Sequence, residues 1–452
     1  MSFVTNILAG LVLALAPRTH DTLAEIKASG ELKVLTRANL TTYYQGASGP
    51  TGFEYDLVRD FADSLQVELR MITVPHTDAV LTALHRGDAH LATAGIKATS
   101  DNMKRTRFGP IYQSVREQLV YRRGNALPRT LADVAGKRLQ VAAHTHHAAT
   151  LLSLRSTYPR LTWQESSALR TSGLLNEVWQ QRLDYTIVDS HEMAVSRGLY
   201  PELRVAFDIG EACDLAWAFP LQADGSLYLA ALRYLHQIRS NGRLEQLMDR
   251  YYGHVEDFDY VGTRRFLSHL RERLPKYLRH FKAAAERHGL DWRLLAAIGY
   301  QESHWNPEAV SPTGVRGLMM LTRDTANHMG IGDRLDAKES IEGGARYFAG
   351  LKKRFAGQVE EPDRTWLTIA AYNIGPGHLQ DARQLAKDAR MNPNRWLDVK
   401  RLLPLLSEPQ WHARTRYGYA RGAEAVTHVQ NVRRYFDLLV RENERERVVA
   451  AR

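Results

Sequence analysis

Glu302 is the residue whose type and setting point most directly to proton chemistry. It closes the run Trp292-Arg293-Leu294-Leu295-Ala296-Ala297-Ile298-Gly299-Tyr300-Gln301-Glu302. Asp291, just ahead of that run, suits a helix N-cap. Leu295, Ile298 and Glu302 fall at i, i+3 and i+7, so the carboxyl continues an apolar stripe on one helical face. Removal from water disfavours the charged form and raises a carboxyl pKa. An acid that keeps its proton near neutral pH is what general acid catalysis requires. The same spacing also describes a helix-end glutamate bonded to a backbone amide or an arginine, and spacing alone leaves both readings open. Three later segments carry further candidates: Ser311-Pro312-Thr313-Gly314-Val315-Arg316-Gly317-Leu318-Met319, Ala370-Ala371-Tyr372-Asn373-Ile374-Gly375, and Glu424-Ala425-Val426-Thr427-His428-Val429-Gln430-Asn431-Val432. In the first half, His144-Thr145-His146-His147 follows a strand-like run. Zinc sites need three or four ligands with an ordered outer shell, so these histidines are read as cleft lining or solvated, and no metal or organic cofactor is expected.

The elements that must position these residues differ between the two halves. From Thr22 to Tyr260, strand-like and helix-like runs alternate. Glu31–Thr36, Leu69–Val74, Ala89–Ala94, Arg138–Ala143 and Tyr185–Val188 read as strands. Phe53–Leu65, Asp78–His85 and Leu175–Gln181 read as helices. Such alternation predicts an α/β domain with parallel sheets and a ligand site at the carboxyl ends of the strands. After Asp257–Gly262 the pattern turns helical: Phe266–Phe281, Asp291–Ser303, Arg323–Met329, Ser340–Phe355, Thr365–Ile374 and Ala423–Val440 all read as helices. The charge changes at the same place. Residues from Val261 onward carry 33 basic and 22 acidic side chains, whereas residues 1–260 carry 27 and 28. The second half is therefore the one suited to an anionic polymer. Nucleic acid fits that charge too, but no nucleic-acid motif is present. The single Cys213 excludes an intrachain disulfide and a cysteine-based zinc cluster.

Glu302-Ser303, the Gly-Leu-Met of 317–319, Ala371-Tyr372-Asn373 and the later Glu424 segment, in this order, resemble the catalytic domain of the soluble lytic transglycosylases over about 291–435. Gly-Leu-Met-Met-Leu-Thr-Arg-Asp-Thr-Ala and Tyr-Gly-Tyr-Ala-Arg-Gly are similar to one branch, the membrane-bound lytic murein transglycosylases F. The resemblance implies a lysozyme-like, mainly α fold and a lyase that cleaves the β-1,4 bond between N-acetylmuramic acid and N-acetylglucosamine in peptidoglycan, leaving a 1,6-anhydro sugar. It implies Glu302 as the one acid/base. Ser303, Ser311, Gly317, Leu318, Met319, Tyr372, Asn373 and Glu424 are implied to shape or line the substrate groove. Two positions depart from the pattern: Met320 stands for the usual Gln, and His428 for a frequent Tyr. Asp324, Asp336 and Glu342 are unplaced by sequence. Hydrolysis by a second carboxylate, as in a lysozyme-like muramidase, therefore stays open. So does a cell-wall-bound receptor without catalysis.

Gly52-Phe53-Glu54-Tyr55-Asp56-Leu57, Phe108-Gly109-Pro110-Ile111-Tyr112 and Asp184–Asp189 resemble the family 3 periplasmic solute-binding proteins over 30–254. That implies two lobes, with chain crossings near Leu119–Arg122 and Leu215–Phe219. The first lobe would hold about 30–118 and 218–255, the second about 122–214. Asp189 matches the acid that holds a ligand ammonium. Asn102 stands where amino-acid binders carry the arginine that grips the carboxylate, and an amide cannot make that bidentate contact. A stem peptide or muropeptide is the ligand that this fusion implies. The remaining divisions are 1–21 as signal peptide or N-terminal anchor, 22–260 as the binding module, 261–440 as the catalytic domain and 441–452 as a charged tail. Ile7–Ala16 is an apolar run ending in Ala14-Leu15-Ala16, half the length needed to span a bilayer, and reads as a secretory segment. The implied location is the periplasm, with peripheral attachment to the outer membrane.

Overall fold

The computed structural model describes residues 21–46, 49–253, 260–311 and 314–450, without the side chains of 260, 261 and 443–450. The apolar run Ile7–Ala16 and the boundary residues Asp257–Asp259 lie outside the described residues.

The first half is built on one six-stranded sheet. Strand Glu31–Thr36 pairs in parallel with Glu68–Thr73 and Leu91–Ala92. The last of these pairs antiparallel with the 18-residue strand Leu203–Pro220. That strand runs antiparallel along the 17-residue Thr106–Arg122, which carries Tyr185–Asp189 on its outer edge. The sheet is thus mixed rather than parallel throughout. The cause is the two long strands, which pass between lobes and bring the chain back in the opposite sense. Their ladder breaks register at four places, the longest break lying between Ile209 and Cys213. Separate apolar cores lie on either side: Leu32, Val34, Phe53, Leu57, Phe61 and Trp217 in the first lobe, and Leu119, Val141, Leu151 and Ile187 in the second. Helix Phe53–Leu65 starts at Gly52, whose φ of 138° and 2.3 Å approach of an added Cβ to the Thr42 carbonyl leave no room for a side chain.

The second half is helical, and among its described residues only isolated bridges occur outside helices. One expected helix, Phe266–Phe281, is two: Tyr260–Glu272 and Leu274–His288. Pro275 sits in the first turn of the second, the position a proline favours and a helix interior does not tolerate. Helix Trp292–Ser303 runs through the middle, with Leu294–Tyr300 all buried. It packs most extensively on the long helix Gly422–Ala450, which extends into the segment read as a charged tail.

The two halves meet along a polar seam. Arg433, only 2% exposed, donates to Asp249 at 3.0 Å and to the Asp249 and Arg250 carbonyls, with its guanidinium over Trp366. Lys400 pairs with the same Asp249, and Arg401 with Glu245 at 2.6 Å. Part of the basic excess is thereby committed to the partner domain rather than to a substrate.

Candidate active site

Local sequence explains how Glu302 is held. Asp291 caps the helix by accepting from the Arg293 amide at 2.8 Å. The helix stops just after Glu302 because His304 and Trp305 both adopt left-handed backbone, with φ of 52° and 55°. Trp305 then folds back under the helix, buried, and its indole N–H donates to the Ala296 carbonyl at 2.8 Å. Gly299 lets the helix lie against the next loop, since a Cβ there would meet Met319, Phe281 and Leu318 at 3.0–3.1 Å. Glu302 itself is 14% exposed. Burial pushes its carboxyl up from 4.5 to about 8 and is the one cause acting on it.

The groove segments converge on this end of the helix through their main chains. Ser303 is buried; its hydroxyl lies 2.8 Å from the Leu318 carbonyl and accepts from the Asn306 amide at 3.2 Å. Gly317 turns with φ of 89°, and an added Cβ would lie 1.9 Å from the Arg334 carbonyl oxygen. Tyr372 donates to the Met319 carbonyl at 2.8 Å, and its own hydroxyl is held well above the usual range by burial and by the nearby Glu302 carboxyl. Asn373 is exposed at the rim and lies 3.2 Å from His428 Nδ1. Ser311 accepts from the Val315 amide at 3.0 Å, closing the loop that leads to Gly317.

Three expected groove residues are placed otherwise, Leu318 among them, fully buried in the core. Met319 has no exposure, and its side chain fills space against Gly344 and Gly299, so it serves through its backbone carbonyl and amide. Glu424 is exposed and faces Arg421 at 3.5 Å, one turn away from the groove. The residue that this helix turns toward Glu302 is His428, 5% exposed, with Nε2 3.6 Å from Glu302 Oε1. Its sequence signal was present as a departure from a Tyr, four residues after Glu424. Of the three carboxylates unplaced by sequence, two are engaged elsewhere and one is exposed. Asp336 caps Ala337–Arg354, Glu342 pairs with Arg287, His288 and Arg346, and Asp324 is exposed.

In the module, the candidate ligand acid is already engaged. Lys97, 2% exposed, places its Nζ 2.8 Å from Asp189 and 2.9 Å from Glu117. His146 and His147 also turn to Asp189, at 3.2 and 3.4 Å, rather than to solvent. These two imidazoles and Asp189 offer three donor atoms within 4.8 Å of one another, but the cation beside them is the chain's own ammonium. Burial lowers His146 to about 4, so it is neutral at pH 7. Asn102 donates its side-chain amide to the Lys97 carbonyl at 2.9 Å. The lobes touch across the cleft, with His76 stacked on His144 and Arg170 donating to the Ala38 carbonyl.

Comparison with known proteins agrees with this two-part organisation. The profile of the Transglycosylase SLT domain matches residues 279–394, and that of the bacterial extracellular solute-binding proteins, family 3, matches 32–254. The chain is 48% identical over 429 residues to membrane-bound lytic murein transglycosylase F 1 of Alkalilimnicola ehrlichii, covering 95% of this chain and 87% of that one. It is 47% identical over 430 residues to membrane-bound lytic murein transglycosylase F of Pseudomonas syringae pv. tomato, covering 95% and 86%. The chain belongs to the membrane-bound lytic murein transglycosylase F family. Its module also aligns with the crystal structure of an ancestral amino acid-binding protein, a precursor of cyclohexadienyl dehydratase, at 21% identity and a TM-score of 0.46 over 51% of this chain and 99% of that one. Among the described residues, no helix is long and apolar enough to cross a membrane.

Proposed function

We propose that this member of the family cleaves peptidoglycan between N-acetylmuramic acid and N-acetylglucosamine by lytic transglycosylation, with Glu302 as acid and then base. The observation that carries the reading is a largely buried carboxyl at a helix end, raised to about 8 by desolvation. At pH 7 roughly nine in ten such carboxyls are protonated. Glu302 gives that proton to the glycosidic oxygen as the C1–O bond breaks, and the substrate's own N-acetyl group supports the positive charge at C1. The Glu302 carboxylate then takes the proton of the muramyl 6-hydroxyl as O6 bonds to C1, which restores the acid. Water is not consumed. Tyr372, held by the Met319 carbonyl, and Asn373 line the reacting side, while Ser303 and Ser311 fix the loop carrying Gly317 and Leu318. Digestion of purified sacculi tests the reading. Anhydro products are about 18 Da lighter than the hydrolysis fragments that a two-carboxylate enzyme would release.

The division into a module at 22–260, a catalytic domain at 261–440 and a tail at 441–452 belongs to this reading, as does a periplasmic place at the inner face of the outer membrane. For the module we take a stem peptide or muropeptide as ligand. Lys97 fills the space between Asp189 and Glu117, which disfavours a free amino acid whose ammonium needs those same oxygens. Calorimetry on the full chain with tetrapeptide and with free amino acids is the test, and binding of free amino acids alone overturns it.

A further inference from the structure

His428 is a buried group to which the reaction sequence above gives no task. Its ring is clamped at one nitrogen and empty at the other. Asn373 Nδ2 lies 3.2 Å from Nδ1, and with the amide donating there, the single proton of the neutral ring sits on Nε2. That Nε2 has no hydrogen-bond partner among the described residues, and Glu302 Oε1 lies 3.6 Å away, beyond a formed hydrogen bond. Leaving a buried N–H unmatched is costly, so a position that keeps one gains most if a partner arrives later in the cycle. Burial lowers the ring to about 4, so His428 and the protonated Glu302 face each other uncharged at pH 7. The other charged groups on the packed elements are turned to partners of their own. Arg293 pairs with Asp291, Arg364 with Glu361, Asp363 accepts from the Trp396 amide, and Glu424 faces Arg421. The short helical stretch Leu403–Ser407 has no ionisable side chain.

We propose that His428 is a positioning residue for Glu302: its Nε2–H takes Oε1, which leaves the acidic proton on the other carboxyl oxygen, and it becomes a full hydrogen-bond donor once that proton has gone to the glycosidic oxygen. The proposal rests on the acid/base reading of Glu302. A donor to the carboxylate favours the ionised form and so makes the first proton transfer easier. A tyrosine at this place could also donate, which is why the departure from the family pattern need not cost activity.

Initial rates of sacculus digestion by the full chain, from pH 5 to 9, test this with His428→Phe and His428→Gln. The phenyl ring keeps bulk and loses the donor, while the carboxamide restores an N–H at similar reach. His428→Phe is expected to lower kcat about tenfold with KM little changed, and to move the alkaline limb of kcat/KM up by about one pH unit. His428→Gln is expected to recover most of both. An unchanged kcat and limb in His428→Phe overturns the proposal. So does an equal loss in both variants with a matching fall in melting temperature, which would make the residue a packing element only. Glu302→Gln, run alongside, separates the two claims. If it still digests sacculi, the acid/base reading itself falls; if it is inactive while His428→Phe matches the parent, only the role of His428 falls.

Discussion

Replacing Glu302 by Gln should remove activity and at the same time stabilise the fold at alkaline pH, and the size of the second effect follows from burial. A carboxyl held at about 8 in the folded chain and 4.5 when exposed binds its proton more tightly folded than unfolded. Its contribution is therefore intact below pH 4.5 and is lost as pH rises toward 8, at about 1.4 kcal/mol per pH unit. Across that interval the loss sums to about 5 kcal/mol, a large part of an ordinary domain's stability. The glutamine side chain has nearly the same shape and no such dependence. The two proteins should thus melt together near pH 4, and the variant should be increasingly the more stable above pH 5, levelling off past pH 8. Calorimetric melting of both full chains across pH 4–9 reads the difference, with other titrating groups cancelling in the comparison. Loss of the general acid should cost on the order of 10²–10⁴ in turnover. The parent's activity should fall as pH rises beyond about 8, since the acid form is then depleted. Parallel melting curves at every pH would mean that Glu302 is not desolvated as argued, and a variant that digests murein at the parental rate would remove the acid from the mechanism.

Gly317→Ala should lower the melting temperature by the equivalent of about 3 kcal/mol or more, because the new Cβ meets a backbone oxygen and the residue has a left-handed φ. Turnover should fall with it, since the carbonyls after Gly317 hold Ser303 and Tyr372. Arg433→Met should destabilise the full chain by about 3 kcal/mol, the lower end for a broken buried pair because Lys400 still reaches Asp249; urea unfolding checks it. Lys97→Met strands Glu117 and Asp189 in the module cleft without a cation, and a loss of about 3–5 kcal/mol in the module's melting transition is expected at neutral pH. An unaltered transition would show that the ammonium is not needed there.

What the sequence made legible was what short-range pattern controls. Phe53–Leu65 and the helix ending at Ser303 follow from apolar spacing and caps, and the observed ends agree. The desolvation of Glu302 was legible only as one of two readings, since the same spacing also describes a helix-end glutamate bonded to an amide or an arginine. Non-local packing was not. Nothing in the local pattern of Glu424 distinguishes a groove carboxylate from a surface one; the rotation of Gly422–Ala450 against Trp292–Ser303 decides it and presents His428 instead. Lys97 reads as one charge in a strand-to-helix connection. Only the meeting of Asp189 with Glu117, paired across neighbouring strands, makes it a buried counter-ion. Met319 was assigned to the groove by its place in a motif, yet the small residues facing it, Gly299 and Gly344, make a hole that its side chain fills.

The long helix Gly422–Ala450 is where these separate contacts become one mechanical problem. Next to Glu302 it holds His428, and at a rise of about 1.5 Å per residue Arg433 lies about 8 Å further along and Arg441 about 20 Å. Arg433 bonds Asp249, on the helix Arg243–Tyr252 of the first lobe. Arg441 donates to the Val195 carbonyl on Ser190–Ser196, the helix that begins directly after Asp189 in the second lobe, and Leu438 lies against Gly198. A single helix is therefore tied to both lobes and to the candidate acid. A helix transmits displacement along its length because its backbone bonds resist stretching, whereas packed side chains at its ends shift in discrete steps. If the lobes change their separation, either the Arg433 or the Arg441 contact must break, or the helix must slide and carry His428 relative to Glu302. Since Nε2 sits only just beyond hydrogen-bond distance from Oε1, a slide of well under one residue rise is enough to make or lose that bond.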